Sequence, residues 1–296
     1  MKNQLIYIVE STEKHPFLRD VLRSEMNFSR ALLSKLKQQR KIKVNGQPTL
    51  ANYRLQVGDV VTVELELDEK NYIIPHQLPL DIVYEDIDFI VINKPAGVAV
   101  HPSRGRAVGT LANAVTYYYE QQGRSALFRP INRLDKDTSG LILIGKNKFA
   151  HQAIFQQQKQ GAVKREYRAV VEGIVVKDMG RIDAPIALKD PDLRDRIVDE
   201  TGQPAVTNFT VKKRFSAHTM LELVLETGRT HQIRVHLAHI GHPIVGDTLY
   251  GQPSPLIERQ ALHAFRLTFT QPKTGQLLTF EAPLPDDMVK LITSLE

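Results

Sequence analysis

The chain has 296 residues, with 39 Lys and Arg against 33 Asp and Glu, a formal net charge of +6. Hydrophobic residues at 42% and charged residues at 24% are ordinary globular usage, which excludes a disordered or fibrous chain and allows one large domain or a large one with a small one. No apolar run approaches the ~18 residues of a membrane span, nothing like a secretory leader follows Met1, and the absence of cysteine excludes disulfides, thiolate metal ligands and a Cys nucleophile. A cytoplasmic protein is the expectation.

In chain order, the first ~70 residues read as a unit of marginal size. Phe17, Leu18, Val21 and Leu22 recur at helical spacing, and Ser29 can cap a second helix with Leu32, Leu33 and Leu36 on one face. Ile42 and Val44 then alternate with basic residues ahead of Asn45-Gly46, a strong hairpin signal because both residues tolerate positive φ. Val61, Val63, Leu65 and Leu67 alternate with polar residues as a half-buried strand. Between Arg30 and Lys43 lie six basic residues (Arg30, Lys35, Lys37, Arg40, Lys41, Lys43) and no acidic one. Such a run is either a solvated helix face or a nucleic-acid footprint.

Around Asp68–Pro79 the periodicity lapses and a linker is expected, which divides the chain into residues 1–74 and 80–296. Strand-like runs follow at 89–92, 141–144, 167–171, 206–211, 221–225 and 267–269, with helical patterns at about 111–119, 149–158 and 232–240. Helices are too few for a βαβ repeat, so the spacing predicts an α+β domain with a central mixed, largely antiparallel sheet and flanking helices.

Four segments stand out. Arg133-Leu134-Asp135-Lys136-Asp137-Thr138-Ser139-Gly140-Leu141 places a carboxylate between two cations in a turn before a buried strand, where positive charge favours the ionised nucleophile or base. The plainer reading, a capping Asp and a bending Gly140, fits the pattern equally. Thr227-Gly228-Arg229-Thr230-His231-Gln232-Ile233-Arg234-Val235-His236 runs from a strand end through a turn, which Gly228 would permit, into a helix with Thr230 as the expected N-cap. Arg229 would project from that turn, suited to gripping a carboxylate or phosphate. His231, His236, His239 and His242 crowd the stretch, but they advance around the helix without an HExxH pattern or a helical carboxylate, so no metal site is expected. The last two segments are the Lys94-Pro95-Ala96-Gly97 loop with His101-Pro102, and Lys164-Arg165-Glu166-Tyr167-Arg168-Ala169, where Tyr167 opens a strand among cations.

Together these segments resemble the RluA family of RNA pseudouridine synthases. Arg133 to Leu141 resembles its RLDxxTSGL motif, Thr227 to His236 its second signature, Gly246-Asp247 and Tyr250-Gly251 the continuation, and Lys94 to Gly97 its early loop. The likeness covers most of residues 80–285 in order. Residues 1–74 are similar, more weakly, to an S-four-like RNA-binding domain found in a ribosomal small-subunit protein, through Ser29-Arg30, Lys43-Val44-Asn45-Gly46 and Gly58-Asp59-Val60. The resemblance implies isomerisation of a uridine within an RNA chain, with no cofactor and no metal, on a base flipped from its stack. It implies Asp135 as the essential carboxylate, acting by attack at C1′ or by removal of a sugar proton. Tyr167 is then expected to stack on the uracil, Arg229 to pair with the carboxylate, and Arg133 to hold the rearranged RNA. Arg30, Lys35, Arg40 and Lys43 are the expected phosphate contacts of the small domain. The position before the RLD triplet, usually His in the family, is Asn132 here. Large-subunit ribosomal RNA is the expected substrate and a monomer the expected state. The alternatives are a synthase acting on transfer RNA, a non-catalytic RNA-binding or ribosome-assembly protein, and a histidine-dependent metallohydrolase.

Overall fold

A computed structural model describes residues 3–65, 71–103, 105–124, 126–190 and 195–296. Leu67 and the start of the expected linker lie outside the described residues. The chain opens with β1 (Gln4–Ile8), α1 (Leu18–Ser24), α2 (Arg30–Gln38), β2 (Ile42–Val44), β3 (Gln47–Pro48) and β4 (Val60–Glu64). The strands form an antiparallel sheet in the order β1-β4-β2-β3, and both helices bury their leucines against it: Leu18, Leu22, Leu32 and Leu36 share a core with Ile42, Val61 and Val63. Ser29 caps α2, accepting from the Leu32 N–H at 3.2 Å. Asn45 and Gly46 turn the hairpin at φ of 50° and 81°. β1 was not visible in the sequence.

The remainder contains β5 (Ile82–Glu85), β6 (Phe89–Lys94), α3 (Leu111–Gln121), β7 (Ser139–Gly145), α4 (Lys148–Lys159), β8 (Lys164–Glu172), β9 (Met179–Asp183), β10 (Ile186–Leu188), β11 (Arg196–Val198), β12 (Val206–Arg214), β13 (His218–Leu225), α5 (Gln232–His239), β14 (Leu262–Thr270), β15 (Leu277–Glu281) and α6 (Asp286–Ser294). Nine strands make one sheet, ordered β5-β6-β7-β14-β8-β13-β12-β9, with β15 on the far half of β14. Only the β7–β14 pairing is parallel, so the sheet is mixed and largely antiparallel, as expected. β6 and β7 are buried on both faces: Ile90, Ile92, Ile142 and Ile144 pack with Leu111, Val115 and Tyr119 of α3. Phe89, Val91, Leu141 and Leu143 pack with Ala150 and Ile154 of α4 on the other side. A strand covered on both sides needs apolar residues in succession, which is why these two read as unbroken apolar runs.

Gly140, at φ +113°, lies against β14 so closely that a Cβ would meet the Ala264 carbonyl oxygen at 2.2 Å. Its role is therefore close packing of the parallel pair as much as a bend. The segment expected as a linker is tied down from Asn71 onward: Asn113 Nδ2 donates to Ile74 O at 2.7 Å, His76 N–H to Asn113 O, and Asn71 Nδ2 to Thr116 Oγ1. α4 joins the N-terminal unit to the main sheet. Its Phe149 meets Phe28 edge-on at 5.5 Å, and Gln152 both donates to Asn27 O and accepts from the Ser29 N–H.

Candidate active site

The Asn132–Thr138 loop is held on several sides before β7 begins. Asn132, buried, donates from Nδ2 to Leu141 O at 3.0 Å and accepts the Leu143 N–H at 2.8 Å, so an amide in place of the family's usual His clamps the loop to β7. Lys94, fully buried, donates from Nζ to the carbonyls of Pro95, Val98 and Lys136 at 2.7–2.9 Å. Burial pulls its pKa down to about 7. Arg259 donates to Asp137 O at 3.1 Å while a bidentate pair with Asp287 holds its guanidinium. Gln260 donates to Thr138 Oγ1 at 3.1 Å. Below the loop, Ser139 Oγ lies 2.9 Å from Nδ1 of buried His263. Backbone and side-chain contacts thus fix where the Asp135 carboxylate stands.

The cation that meets Asp135 is Arg234. Its Nη1 donates to Asp135 Oδ2 at 3.2 Å, while Nε and Nη2 grip the wholly buried Asp247 at 2.7 and 2.8 Å. Burial acts to lower the Arg234 pKa, but the bonds and charge of Asp247, with Asp135, raise it above the ordinary arginine value. The Tyr250 ring lies 5.1 Å from this guanidinium, and its hydroxyl is 2.8 Å from His231 Nδ1. His231 Nε2 stands 3.9 Å from the other Asp135 oxygen. Burial lowers the His231 pKa, with Asp135 opposing.

Arg229 was expected to make the Asp135 pair, and the structure corrects this: its Nε donates to Pro204 O at 3.0 Å. The turn directs it to the cavity edge, while the N-cap residue His231 and Arg234 in the first turn of α5 carry side chains to Asp135. Of the neighbouring cations expected to poise Asp135, Lys136 lies 3.9 Å from Asp137, while exposed Arg133 lines the same cavity as Asp135. The helix starts at Gln232, and its N-cap is His231 at φ 58° without a side-chain cap bond, so Thr230 is not the N-cap. Gly228 is outside the positive-φ glycines. What it supplies is space, because a Cβ there would lie 2.8 Å from Arg165 Nη1.

Gln232 organises the preceding turn, accepting from the Arg229 N–H at 2.9 Å and the Thr227 hydroxyl at 2.8 Å while donating to Val206 O and Thr207 Oγ1. His236, fully buried, spends both ring nitrogens on Thr207 Oγ1 and Ala184 O, each at 2.9 Å. His242 Nδ1 bonds Glu172 O. Among the described residues no three His, Cys, Asp or Glu side chains converge as a metal site would require.

Asp135, Arg133, Tyr167 and Arg229 line one cavity of about 490 Å³, with Arg165 and the α4 residues Phe155, Gln158 and Lys159 on its wall. Tyr167 is almost fully buried, and burial, more than the approach of Asp135, raises its pKa. Arg30, Lys35 and Arg40 lie on the exposed surface of the N-terminal unit, outside this cavity. Lys43 is engaged there in an ion pair with Glu64 at 2.6 Å. Sequence reasoning missed Arg234 and Asp247 as partners of the carboxylate. The available signal was Arg234 itself, a cation just inside the expected helix 232–240.

Asp135 and Tyr167 thus line one cavity, and comparisons with known proteins show the family. The RNA pseudouridylate synthase family model matches residues 88–239, a span that includes Asp135, Tyr167, Arg229 and Arg234. An uncharacterized RNA pseudouridine synthase of Bacillus subtilis is 41% identical over 99% of this chain and 98% of its own. The chain belongs to the RNA pseudouridylate synthase family. This synthase is thus an isomerase acting on RNA. It is also 39% identical to the ribosomal large subunit pseudouridine synthase D of Pasteurella multocida, over 91% of this chain and 88% of that one. Among solved structures it is similar to human RNA pseudouridylate synthase domain containing 1, with a TM-score of 0.58 and 26% identity over 73% of this chain and 94% of the other. Asp247 falls just beyond the matched span, although it completes the synthase's Arg234 clamp. No helix among the described residues is long and apolar enough to cross a membrane.

Proposed function

We propose that this synthase converts a uridine of large-subunit ribosomal RNA to pseudouridine in the cytoplasm, with Asp135 as its essential carboxylate. The observation that carries the reading is the Asp135–Arg234–Asp247 chain at a cavity also lined by Tyr167. Isomerisation breaks the C1′–N1 bond, turns the uracil and joins C5 to C1′. A carboxylate serves either attack at C1′ or removal of a sugar proton, and the Arg234 bond at 3.2 Å orients Asp135 for it. Asp247 grips Arg234 through two bonds, leaving it anchored while Asp135 reacts. Tyr167 offers its ring to the extruded uracil, and Arg133 at the rim holds the displaced strand. The small N-terminal unit, read as an S-four-like RNA-binding domain spanning residues 1–74, adds phosphate contacts through Arg30, Lys35 and Arg40. The ribosomal substrate is supported by the relatives named for the large subunit, and a monomer is the working state.

Asp135→Asn is expected to abolish tritium release from C5-labelled uridine RNA while RNA affinity changes by less than about threefold, since Asn keeps the volume and loses only the charge. Full turnover by this variant would remove Asp135 from the chemistry. Pseudouridine mapping of total RNA from cells with and without the protein tests the substrate, and a lost modification in transfer RNA alone would displace the ribosomal reading.

A further inference from the structure

Arg165 carries a charge that the fold leaves uncompensated. It follows β8 two residues before Tyr167 and so shares its face, and it is 7% exposed. Nη2 donates to Thr227 O at 3.2 Å. Nε is buried without a hydrogen-bond partner, and among the described residues no carboxylate pairs with the group. The acid closest in the sequence of the cavity wall, Glu226, is bound instead by Asn208 Nδ2 at 2.8 Å and Arg181. A buried charge without a counter-charge is costly, and the side chain is nonetheless given room, because Gly228 lacks the Cβ that would lie 2.8 Å from Nη1.

We propose that Arg165 binds a phosphodiester of the RNA strand at the extruded nucleotide, forming a phosphate subsite in the wall of the cavity that holds Asp135. Arg133, Lys159, Arg165 and Arg229 all line this cavity, and Asp135, its other acid, bonds Arg234. A planar guanidinium with donors unspent is suited to a phosphate, which accepts two parallel N–H bonds. A uracil carbonyl would satisfy one donor and leave the charge unbalanced. The subsite would fix the sugar of the flipped nucleotide from the phosphate side while Tyr167 holds the base.

The inference rests on the RNA-isomerase reading, and the test separates them. Full-length protein is ¹⁵N-labelled and the Arg165 Nε–H resonance is assigned by its loss in Arg165→Lys. The probes are a ten-nucleotide oligouridylate and the same decamer with neutral methylphosphonate linkages, at low salt, with binding followed independently by fluorescence anisotropy. The expected result is a saturable shift of the Arg165 resonance with the phosphodiester decamer and none with the neutral one. Arg165→Gln, checked for folding by circular dichroism, should weaken the phosphodiester decamer about tenfold, the worth of one charge-assisted bond. A resonance that stays still while the phosphodiester decamer binds, or that moves equally with both decamers, overturns the subsite and leaves the Asp135 reading intact. Failure of the charged decamer to bind at all likewise overturns the subsite, and the Asp135 reading stands or falls on tritium release alone.

Discussion

Cations are used in opposite ways in the two parts of the molecule. In the N-terminal unit, Arg30, Lys35, Lys37 and Arg40 stand exposed on the helix and turn that cover a small core. Around the cavity, Arg234 and Lys94 are buried and Arg259 is partly so, and each is fixed by several partners. The first arrangement attracts a polyanion from any direction and tolerates changes of register. The second holds one carboxylate in one place. The difference separates residues that raise encounter from residues that set geometry.

The comparison is broken most sharply at Arg234. Arg234→Met strands Asp247, and removing one partner of a buried pair costs about 3–5 kcal/mol, readable in urea unfolding. Turnover should drop about 10²–10³-fold, the scale of a lost preorganised donor. Arg229→Met, at an exposed position bonded to one carbonyl, should leave stability within about 0.5 kcal/mol and reduce turnover less than tenfold. A larger loss at Arg229 than at Arg234 would reverse the assignment of the charge partner.

Acid provides the next test. His263, buried under Ser139, has a pKa lowered by burial to about 4 from 6.5, so the unfolded chain takes up this proton before the folded one. Its contribution is fully present above pH 6.5 and is lost as pH falls towards 4, a few kcal/mol in all. His263→Gln should flatten the unfolding free energy across that window, and an unchanged slope would remove His263 as the acid-sensitive support of the loop. The smallest effect belongs to the N-terminal unit: replacing Arg30, Lys35 and Arg40 together by Gln should lower the slope of log affinity against log salt by about 2, with turnover at saturating RNA unchanged. An unaltered slope would place the RNA elsewhere.

Much of the fold is legible where a local rule decides it. Ser29, Asn45-Gly46 and the apolar runs of β6 and β7 announce themselves because capping, turn chemistry and two-sided burial act within a few residues. β10, β11 and β15 are short or alternate weakly, and their existence depends on partners distant in sequence. α6 ends the chain with a modest pattern of Met288 and Leu291 facing the core. At the site, the resemblance marks Asp135 and Tyr167 for the same cavity. The Arg229 expectation fails because a turn position looks free in sequence, whereas the helix that follows rotates His231 and Arg234 inward. Asp247 is thirteen residues from Arg234, and no local spacing links them.

α4 has a consequence for how RNA is measured. Gln152 is fastened to Asn27 and Ser29 at the entrance to α2, and Lys159 at the other end stands on the cavity wall. Seven residues of helix separate them, about 10 Å at 1.5 Å per residue. The interval between the N-terminal unit and the cavity wall is therefore set by a rigid rod, which under the proposed function would gauge how far along a folded strand the modified base must lie.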